Sequence, residues 1–258
     1  MSDSVFLPAE RVFSVWSRNA LVWRKSALRS LLGTFSDPLL YLLALGYGLG
    51  RFIGEVDGLN YVVFLCSGII ASSAMNAATF EGLYMAYTRM ETNKTWEGIL
   101  STAIGLPEVV FGEILWMGTK SVISVTAILS VALLLGLVQS WMAVLVIPVG
   151  FLCGICFGAM AMVVTSYSRS YEFFLYYVTL LVTPMILLSG VFFPLSSLPD
   201  GVRLASAALP LQHVVIMVRA LMTGSMELVD LVHLLVPLLF LLVAGFIALG
   251  QFRKRLQN

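Results

Sequence analysis

Six long apolar segments constrain this chain more than any other feature of its sequence. Each has roughly the 20 mostly apolar residues that a helix needs to cross a bilayer. The segments are residues 32–53, 61–84, 109–135, 141–167, 173–193 and 228–250. We therefore expect an all-α integral membrane protein with six transmembrane helices.

The amino-acid composition excludes two other classes of protein, soluble enzymes and disordered chains. Of the 258 residues, 59% are hydrophobic and 11% are charged, whereas an ordinary soluble domain has about 25% charged residues. This balance excludes a soluble globular enzyme, and low charge combined with 12% aromatic residues excludes a disordered chain. We expect one membrane domain over residues 1–258. We expect no cleaved signal peptide, because no basic segment precedes a short apolar core at the N-terminus.

A seventh apolar region, residues 202–223, differs from the six because polar residues and a proline interrupt it. Pro210, Gln212, His213 and Arg219 all fall within it. Irregular backbone is tolerated at membrane depth only where it is buried in protein or lines a cavity. We therefore expect a re-entrant hairpin over residues 194–224, before the last span.

Lysine and arginine near the span ends predict the orientation of the chain. Eleven flank one side of the spans: Arg11, Arg18, Arg24, Lys25, Arg29, Arg89, Lys94, Arg169, Arg253, Lys254 and Arg255. Three flank the other side: Arg51, Arg203 and Arg219. Because cationic flanks stay in the cytoplasm, we expect both termini to be cytoplasmic, which an even number of spans also requires.

Residues 10–32 form a predicted amphipathic helix with two separate stripes. The apolar stripe comprises Phe13, Trp16, Ala20, Trp23 and Ala27, and the cationic stripe comprises Arg11, Arg18, Lys25 and Arg29. This separation favours an interfacial helix with its tryptophans at headgroup level. The alternative is a charged flank that only fixes topology.

Small residues at regular spacing in two spans indicate close helix packing. Gly46, Gly50 and Gly54 end the first span, and Gly150, Gly154 and Gly158 run through the fourth. Small residues four apart let helix backbones approach closely in lipid. Three cysteines in apolar runs, Cys66, Cys153 and Cys156, are expected to pack rather than to form a redox or metal site.

Charged residues inside spans are costly and are therefore candidates for function. Glu81 lies toward the end of the second span, and Glu113 and Lys120 lie two helical turns apart in the third. Two interpretations stay open: these charges neutralise one another or a neighbour, or they line a translocation path. Capping and reaching toward the interface explain three polar residues near span ends: Asp37, Asp230 and His233.

No catalytic or nucleotide-binding motif is present in the sequence. It contains neither H-E-x-x-H nor G-x-S-x-G, and it has no acidic cluster for a metal. The Walker A pattern is also absent, so this chain cannot hydrolyse ATP through a P-loop. We expect no metal, no cofactor bound by this chain and no nucleic-acid partner.

The segment of residues 88–106 after the second span predicts a docking element. Asn93 is a candidate helix cap, and an apolar stripe follows at Trp96, Ile99, Leu100 and Ala103. Gly105 ends this helix and Pro107 begins the next. A short helix with an exposed apolar stripe fits a groove on another protein. The alternative is packing against the membrane surface.

Two blocks of sequence resemble the type-2 ABC exporter permeases. The first comprises residues 91–100 (ETNKTWEGIL) and 105–108 (GLPE); the second comprises 188–199 (LSGVFFPLSSLP), 209–213 (LPLQH) and 219–224 (RALMTG). Within that family the chain is most similar to the nodulation branch. The similarity is carried by residues 36–38, 46–50, 56–58, 77–81, 95–97 and 170–172.

The resemblance implies a homodimer of permeases with two separate ABC ATPase subunits, NodI-like in this branch. It implies export of a lipid-linked or lipid-modified oligosaccharide, of lipo-chitin type, across the bacterial inner membrane. ATP and Mg would be used by the ATPase. In this family a short coupling helix fits the ATPase, and the matching residues here are Glu91, Thr95, Trp96, Glu97, Ile99 and Leu100.

The same resemblance predicts a path between two copies, with spans two and five as walls. Candidate path residues are Glu81, Glu113, Lys120, Phe173 and Tyr177, and candidate outer-gate residues are Phe193, Pro194, Pro210, His213 and Arg219. The aromatic side chains would face lipid or sugar, or serve only as lipid-facing bulk. Two other functions stay open: efflux of another amphipathic substrate, such as a drug or polysaccharide lipid, and an ATP-independent channel or carrier.

Overall fold

The computed structural model describes residues 9–257, without the side chains of Arg29, Leu31, Leu32, Thr34, Phe35, Asp37 and Gln257. The helices are α1 (Ala9–Arg24), α2 (27–53), α3 (Tyr61–Thr92), α4 (Thr95–Leu100), α5 (Leu106–Leu134), α6 (Trp141–Tyr167), α7 (Glu172–Leu188), α8 (Asp200–Ser206), α9 (Pro210–Thr223) and α10 (Leu228–Leu234 continuing as Leu235–Gln257). A two-stranded hairpin, β1 (Glu55–Val56) and β2 (Leu59–Asn60), joins α2 to α3. The predicted all-α class is confirmed. The predictions for the N-terminal leader and for Asp37 lie outside the described residues.

Within residues 9–257, four helices are long and apolar enough to cross a membrane: α3, α5, α6 and α10. The predicted first and fifth spans correspond to the shorter apolar helices Pro38–Ile53 and Glu172–Leu188. The chain is therefore a multi-pass membrane protein, while the count of six spans stays a prediction.

Helix α3 is longer than its apolar run suggests. Its α-helical part, Tyr61–Phe80, continues through two π-helical segments, Glu81–Ala86 and Thr88–Thr92. Arg89, expected in a loop, is therefore on the helix itself. Further π-helical segments occur at Leu42–Leu49 in α2 and Val178–Val182 in α7. Such segments are rare and are frequent at functional sites.

Glycine allows α5 and α6 to pack closely, as predicted. A Cβ at Gly154 would lie 2.5 Å from the Ser121 Oγ and 2.8 Å from the Gly118 Cα. A Cβ at Gly150 would lie 2.6 Å from the Val125 Cγ2. Gly54 differs, since its φ of +73° forms the turn that precedes β1.

Helices α8 and α9 form a bent pair with an angle of 86° between them. The bend lies where the sequence predicted an interruption, and Pro210 opens α9, where its missing N–H costs nothing. The Tyr61 hydroxyl at the start of α3 donates a hydrogen bond to the Phe192 carbonyl, at 3.3 Å, just before this pair. The pair therefore lies at the end of α3 opposite Arg89.

The surface helix α1 is shorter than predicted, because it ends at Arg24 and α2 begins at Ala27. It packs against α5 through Val15, which is buried against Gly112. The Trp16 Nε1 donates to the Thr119 Oγ1 at 2.8 Å, so this ring is held by α5. Trp16 is half-buried, and the placement of the tryptophans at headgroup level stays a prediction.

Candidate functional site

A buried cluster of charges lies where α3, α4 and α5 meet. We call it the Arg89 cluster, and it comprises Glu81, Arg89, Trp96, Glu113, Trp116 and Lys120. Helix α3 supplies two of these side chains, the predicted coupling helix α4 supplies one, and α5 supplies three. The cluster therefore connects the predicted ATPase-facing helix with the middle of the chain.

Arg89 is the centre of the cluster. Its Nε donates to the Glu113 Oε1 at 2.9 Å and its Nη2 to the Glu113 Oε2 at 2.5 Å. Its Nη1 donates to the Glu81 Oε1 at 2.9 Å. The side chain of Glu113 is 1% exposed and that of Glu81 is 8% exposed. This fork geometry is the strong form of an ion pair, and one guanidinium here contacts two largely buried carboxylates.

Lys120 and Trp116 complete the contacts of Glu81. The Lys120 Nζ lies 4.0 Å from the Glu81 Oε2, and the Trp116 Nε1 donates to the Glu81 Oε1 at 2.9 Å. Lys120 also donates to the Ser30 Oγ on α2 at 2.9 Å. The three charges singled out in the spans are thus brought together, and each has a partner of opposite sign. Glu113 pairs with Arg89 rather than with Lys120.

Trp96 lies inside the chain instead of on an exposed stripe. It is 1% exposed, its ring lies 5.0 Å from that of Phe252, and its Nε1 donates to the Glu113 Oε1 at 3.3 Å. The interpretation that Trp96 offers its ring to another protein is therefore wrong. Ile99 and Leu100 are half-buried against the same core. Burial of this stripe fixes α4 to the chain and leaves its opposite side free.

The outward side of α4 carries Glu97. Its side chain is 63% exposed and its Oε1 lies 3.0 Å from the Lys94 Nζ. Hydrogen bonding to Glu97 raises the pKa of Lys94 from its ordinary value. Lys94, at φ 52°, precedes α4 in place of the predicted cap Asn93. The exposed carboxylate is the group that another protein can reach.

The last helix holds this region in place. The Arg255 Nη2 donates to the Glu91 Oε1 at 2.5 Å, and its Nη1 donates to the Thr165 carbonyl at 2.9 Å. On the other flank, the Arg18 Nη2 donates to the Thr95 Oγ1 at 3.5 Å. Two candidate coupling residues, Glu91 and Thr95, are therefore tied to α10 and α1 respectively.

Aromatic rings gather beside the end of α3. The rings of Tyr84, Tyr87, Tyr171 and Phe174 lie within 4.9–6.3 Å of one another in five of their pairs. Of the predicted path residues on α7, the Phe173 side chain is exposed, and the Tyr177 hydroxyl is buried without a partner in the described part of the chain. The surface beside the end of α3 therefore exposes stacked aromatic rings and apolar side chains.

A second largely buried arginine, Arg219 on α9, lies at the opposite end of α3. Its Nε donates to the Ser67 Oγ at 3.1 Å, and its Nη2 donates to the Gly190 carbonyl at 2.9 Å and the Phe64 carbonyl at 3.3 Å. Its guanidinium carbon lies 3.7 Å from the centre of the Phe64 ring. It forms no ion pair with any carboxylate whose side chain is described.

The other predicted gate residues lie in the segment before α9 and in the first turns of α9. Phe193 and Pro194 are half-buried, and Pro210 is buried. The His213 Nδ1 lies 2.7 Å from the His233 Nδ1, and the His213 Nε2 lies 2.9 Å from the Ala207 carbonyl oxygen. Both ring nitrogens of His213 are thus engaged, as expected for a satisfied polar residue.

Sequence reasoning missed four contributors: Arg89 as the centre of the cluster, Trp116, Phe252 and Arg255. Trp116 follows Glu113 by three residues on one helix, a spacing that places them on neighbouring positions. Arg89 was counted only as a flanking charge because α3 was predicted to end at residue 84. Nothing in the sequence indicated that the end of α10 returns to α4.

Comparison with known proteins identifies relatives over almost the whole chain. Residues 10–223 match the ABC-2 type transporter family. Nodulation protein J of Rhizobium meliloti (strain 1021) is 41% identical over 244 residues, covering 94% of this chain and 93% of the relative. Nodulation protein J of Bradyrhizobium diazoefficiens is 43% identical over 244 residues, with the same coverage. That of Rhizobium leguminosarum bv. viciae is 41% identical over 246 residues, covering 95% of each.

Proposed function

The chain belongs to the ABC-2 type transporter family, and we propose that it is the permease subunit of an ATP-driven exporter in the bacterial inner membrane. A separate NodI-like ATPase hydrolyses ATP with Mg, and two copies of this chain form the path. Both termini lie in the cytoplasm. The substrate is a lipid-modified oligosaccharide of lipo-chitin type, by similarity to the relatives named Nodulation protein J.

The attachment of α4 to the Arg89 cluster is the observation that supports this proposal most. A helix that transmits a conformational change from an ATPase to the spans must be rigidly attached to them. Trp96 provides one through its contacts with Glu113 and Phe252, while Glu97 remains exposed. The side of α4 that carries Glu97 then contacts the ATPase, and the buried side transmits the movement.

The aromatic cluster supports the substrate class. Sugar rings stack on aromatic faces, and an acyl chain needs apolar surface. Tyr171 and Phe173 are both exposed at the start of α7, one of the two helices proposed as walls of the path, and Tyr171 stacks on Tyr84 of α3, the other. Efflux of a different amphipathic substrate is the second candidate, since the same surface accepts other apolar molecules.

The experiment is reconstitution of the chain with its ATPase in proteoliposomes. Vesicles that contain both subunits should move a fluorescent lipo-chitin oligosaccharide only when ATP and Mg are present. Transport without ATP would favour a carrier, and equal transport of an unrelated amphipathic dye would favour the second candidate. Rigorously purified chain without the ATPase should show no ATP hydrolysis.

Glu97→Ala tests the assignment of α4. Because the carboxylate is exposed, folding should be unchanged. Loss of an interface contact of about 2 kcal/mol lowers association more than tenfold. Glu55→Ala is the matched control, because it removes an exposed carboxylate at the other end of α3. Pull-down of the ATPase together with export should fall for the first variant only, with expression measured in the same cells.

A further inference from the structure

A cavity of about 200 Å³ lies between the surface helix α1 and the Arg89 cluster. Helix α1 contributes Arg18, Asn19 and Trp23 to its wall, and α3 and α5 contribute Glu81, Arg89 and Trp116. Because α1 runs along the side of the spans with Leu21 and Val22 exposed, the cavity lies beside an apolar, lipid-accessible surface.

Two hydrogen-bond donors at this cavity have no acceptor. The Asn19 Nδ2 and the Trp23 Nε1 are both buried without a partner in the described part of the chain. The Arg18 Nη1 donates to the Asn19 Oδ1 at 2.9 Å, and this contact fixes which end of the amide is the oxygen. Buried donors of this kind require an explanation, such as a bound ion or water.

The charges around the cavity do not cancel. Arg18, Arg89 and Lys120 are three cations, whereas Glu81 and Glu113 are two carboxylates, and both carboxylates are already held by Arg89. The excess is therefore one positive charge, and Arg18 has no ion pair with any described carboxylate. Burial, followed by the charge of Arg89, lowers the pKa of Arg18 from its ordinary value.

We propose that this cavity binds the phosphate group of an anionic membrane phospholipid. Its oxygens accept hydrogen bonds from the Asn19 Nδ2 and the Trp23 Nε1, and its charge balances Arg18. Arginine is favoured where phosphate is recognised by several donors at once. The acyl chains leave along the exposed side of α1, where an interfacial helix meets anionic lipid. The proposal depends neither on the ATPase nor on the transported substrate.

Binding of one lipid is measured on the purified full chain in neutral detergent by native mass spectrometry. The probes are phosphatidylglycerol, diacylglycerol with the same acyl chains, and inorganic phosphate as a competitor. We expect one tightly held phosphatidylglycerol, at least tenfold weaker binding of diacylglycerol, and no displacement by millimolar phosphate. Equal binding of both lipids would overturn the proposal, and displacement by phosphate would assign the cavity to a free anion instead.

Three substitutions in the cavity wall and one control outside it locate the site. Asn19→Asp keeps the side-chain shape but replaces the free donor by an acceptor, and Arg18→Gln removes the unpaired charge; both should weaken phosphatidylglycerol binding at least tenfold. Arg24→Gln, which removes an exposed charge from the same helix, should change binding less than twofold. If Asn19→Asp or Arg18→Gln fails to fold, Trp23→Phe removes the indole N–H donor, keeps a smaller aromatic ring in its place and should still weaken binding several-fold. Unchanged binding in the folded site variants would rule the cavity out.

Discussion

The two ends of α3 each hold a largely buried arginine, and they balance its charge in different ways. Arg89 contacts two carboxylates on the spans. Arg219 contacts main-chain oxygens, one hydroxyl and one aromatic ring. At the Arg89 end, removal of the arginine or of a carboxylate leaves a charged side chain without its partner. At the other end, removal of Arg219 leaves only uncharged polar groups, which neighbouring groups can satisfy.

This difference separates a fixed end from an end that can open. Breaking a buried ion pair is strongly destabilising, so the Arg89 cluster should stay closed while it transmits movement from α4. Arg219 bridges α9, α3 and the Gly190 turn through bonds that water can replace. We expect the Arg219 end to open and the Arg89 end to remain closed during transport.

The largest expected effect comes from Glu113→Gln. This change keeps the shape but leaves Arg89 with one carboxylate, and it should reduce the free energy of unfolding by about 3 kcal/mol. The measurement is the thermal unfolding midpoint of the purified chain in detergent, with monodispersity as a second readout. Glu97→Ala, an exposed carboxylate, is the control and should unfold as the wild type does. A Glu113→Gln midpoint equal to that of the control would break the comparison.

Arg219→Met should cost less, about 2 kcal/mol, because no charge is left unpaired. Its main consequence should be faster hydrogen exchange at the Gly190 turn and in α8, with the Arg89 end unchanged. Hydrogen–deuterium exchange of the two ends in one experiment measures this directly. Uniform loosening of both ends would show that they are not independent.

Trp96→Phe should cost about 1–2 kcal/mol. The smaller phenyl ring can still pack on Phe252, but the N–H bond to Glu113 is lost and part of the buried volume of the indole is left unfilled. Export should fall more than ATPase binding does, because Glu97 is still presented while the link to the Arg89 cluster is weakened. Transport and pull-down are compared in the same membranes, and equal losses in the two assays would contradict this division.

The smallest expected effect is that of Arg255→Gln. Both side chains of the Arg255–Glu91 pair are partly exposed, at 20% and 34%, so water screens the pair and its loss should cost less than about 1 kcal/mol. We expect an unchanged unfolding midpoint and a modest loss of export. Arg253→Gln on the same helix is the matched control, since Arg253 is exposed. A midpoint shift as large as that of Trp96→Phe would place Arg255 in the fixed end.

Much of the fold could be predicted because a helix that crosses the hydrocarbon core of a bilayer must be apolar over about 20 residues. Apolar length located α3, α5, α6 and α10, and Pro210 located the bend between α8 and α9. The end of α3 was misplaced because apolar length stops at residue 84, while the helix continues over polar residues to Thr92. A rule that finds helices by apolar length alone predicts a loop wherever the end of a helix is polar and packs on protein instead of lipid.

The candidate site was harder to predict, because its contacts join distant parts of the chain. Glu81, Glu113 and Lys120 were recognisable as costly charges, yet their partner Arg89 was not. Trp96 was recognised as important but assigned to the wrong side, since an apolar stripe looks the same whether it faces another protein or its own core. Tertiary contacts decide that question, and Phe252 lies 156 residues beyond Trp96 in sequence.

The close packing of α5 and α6 determines which mutations this chain can tolerate over evolutionary time. At Gly150 the three atoms nearest to an added methyl group all belong to the Val125 side chain, so a smaller residue at position 125 relieves the clash and the two positions can vary together. At Gly154 the methyl group also meets the main chain at Gly118, which no substitution can shrink. A lineage can therefore exchange the first glycine in two steps, whereas the second has no permitted route away from glycine.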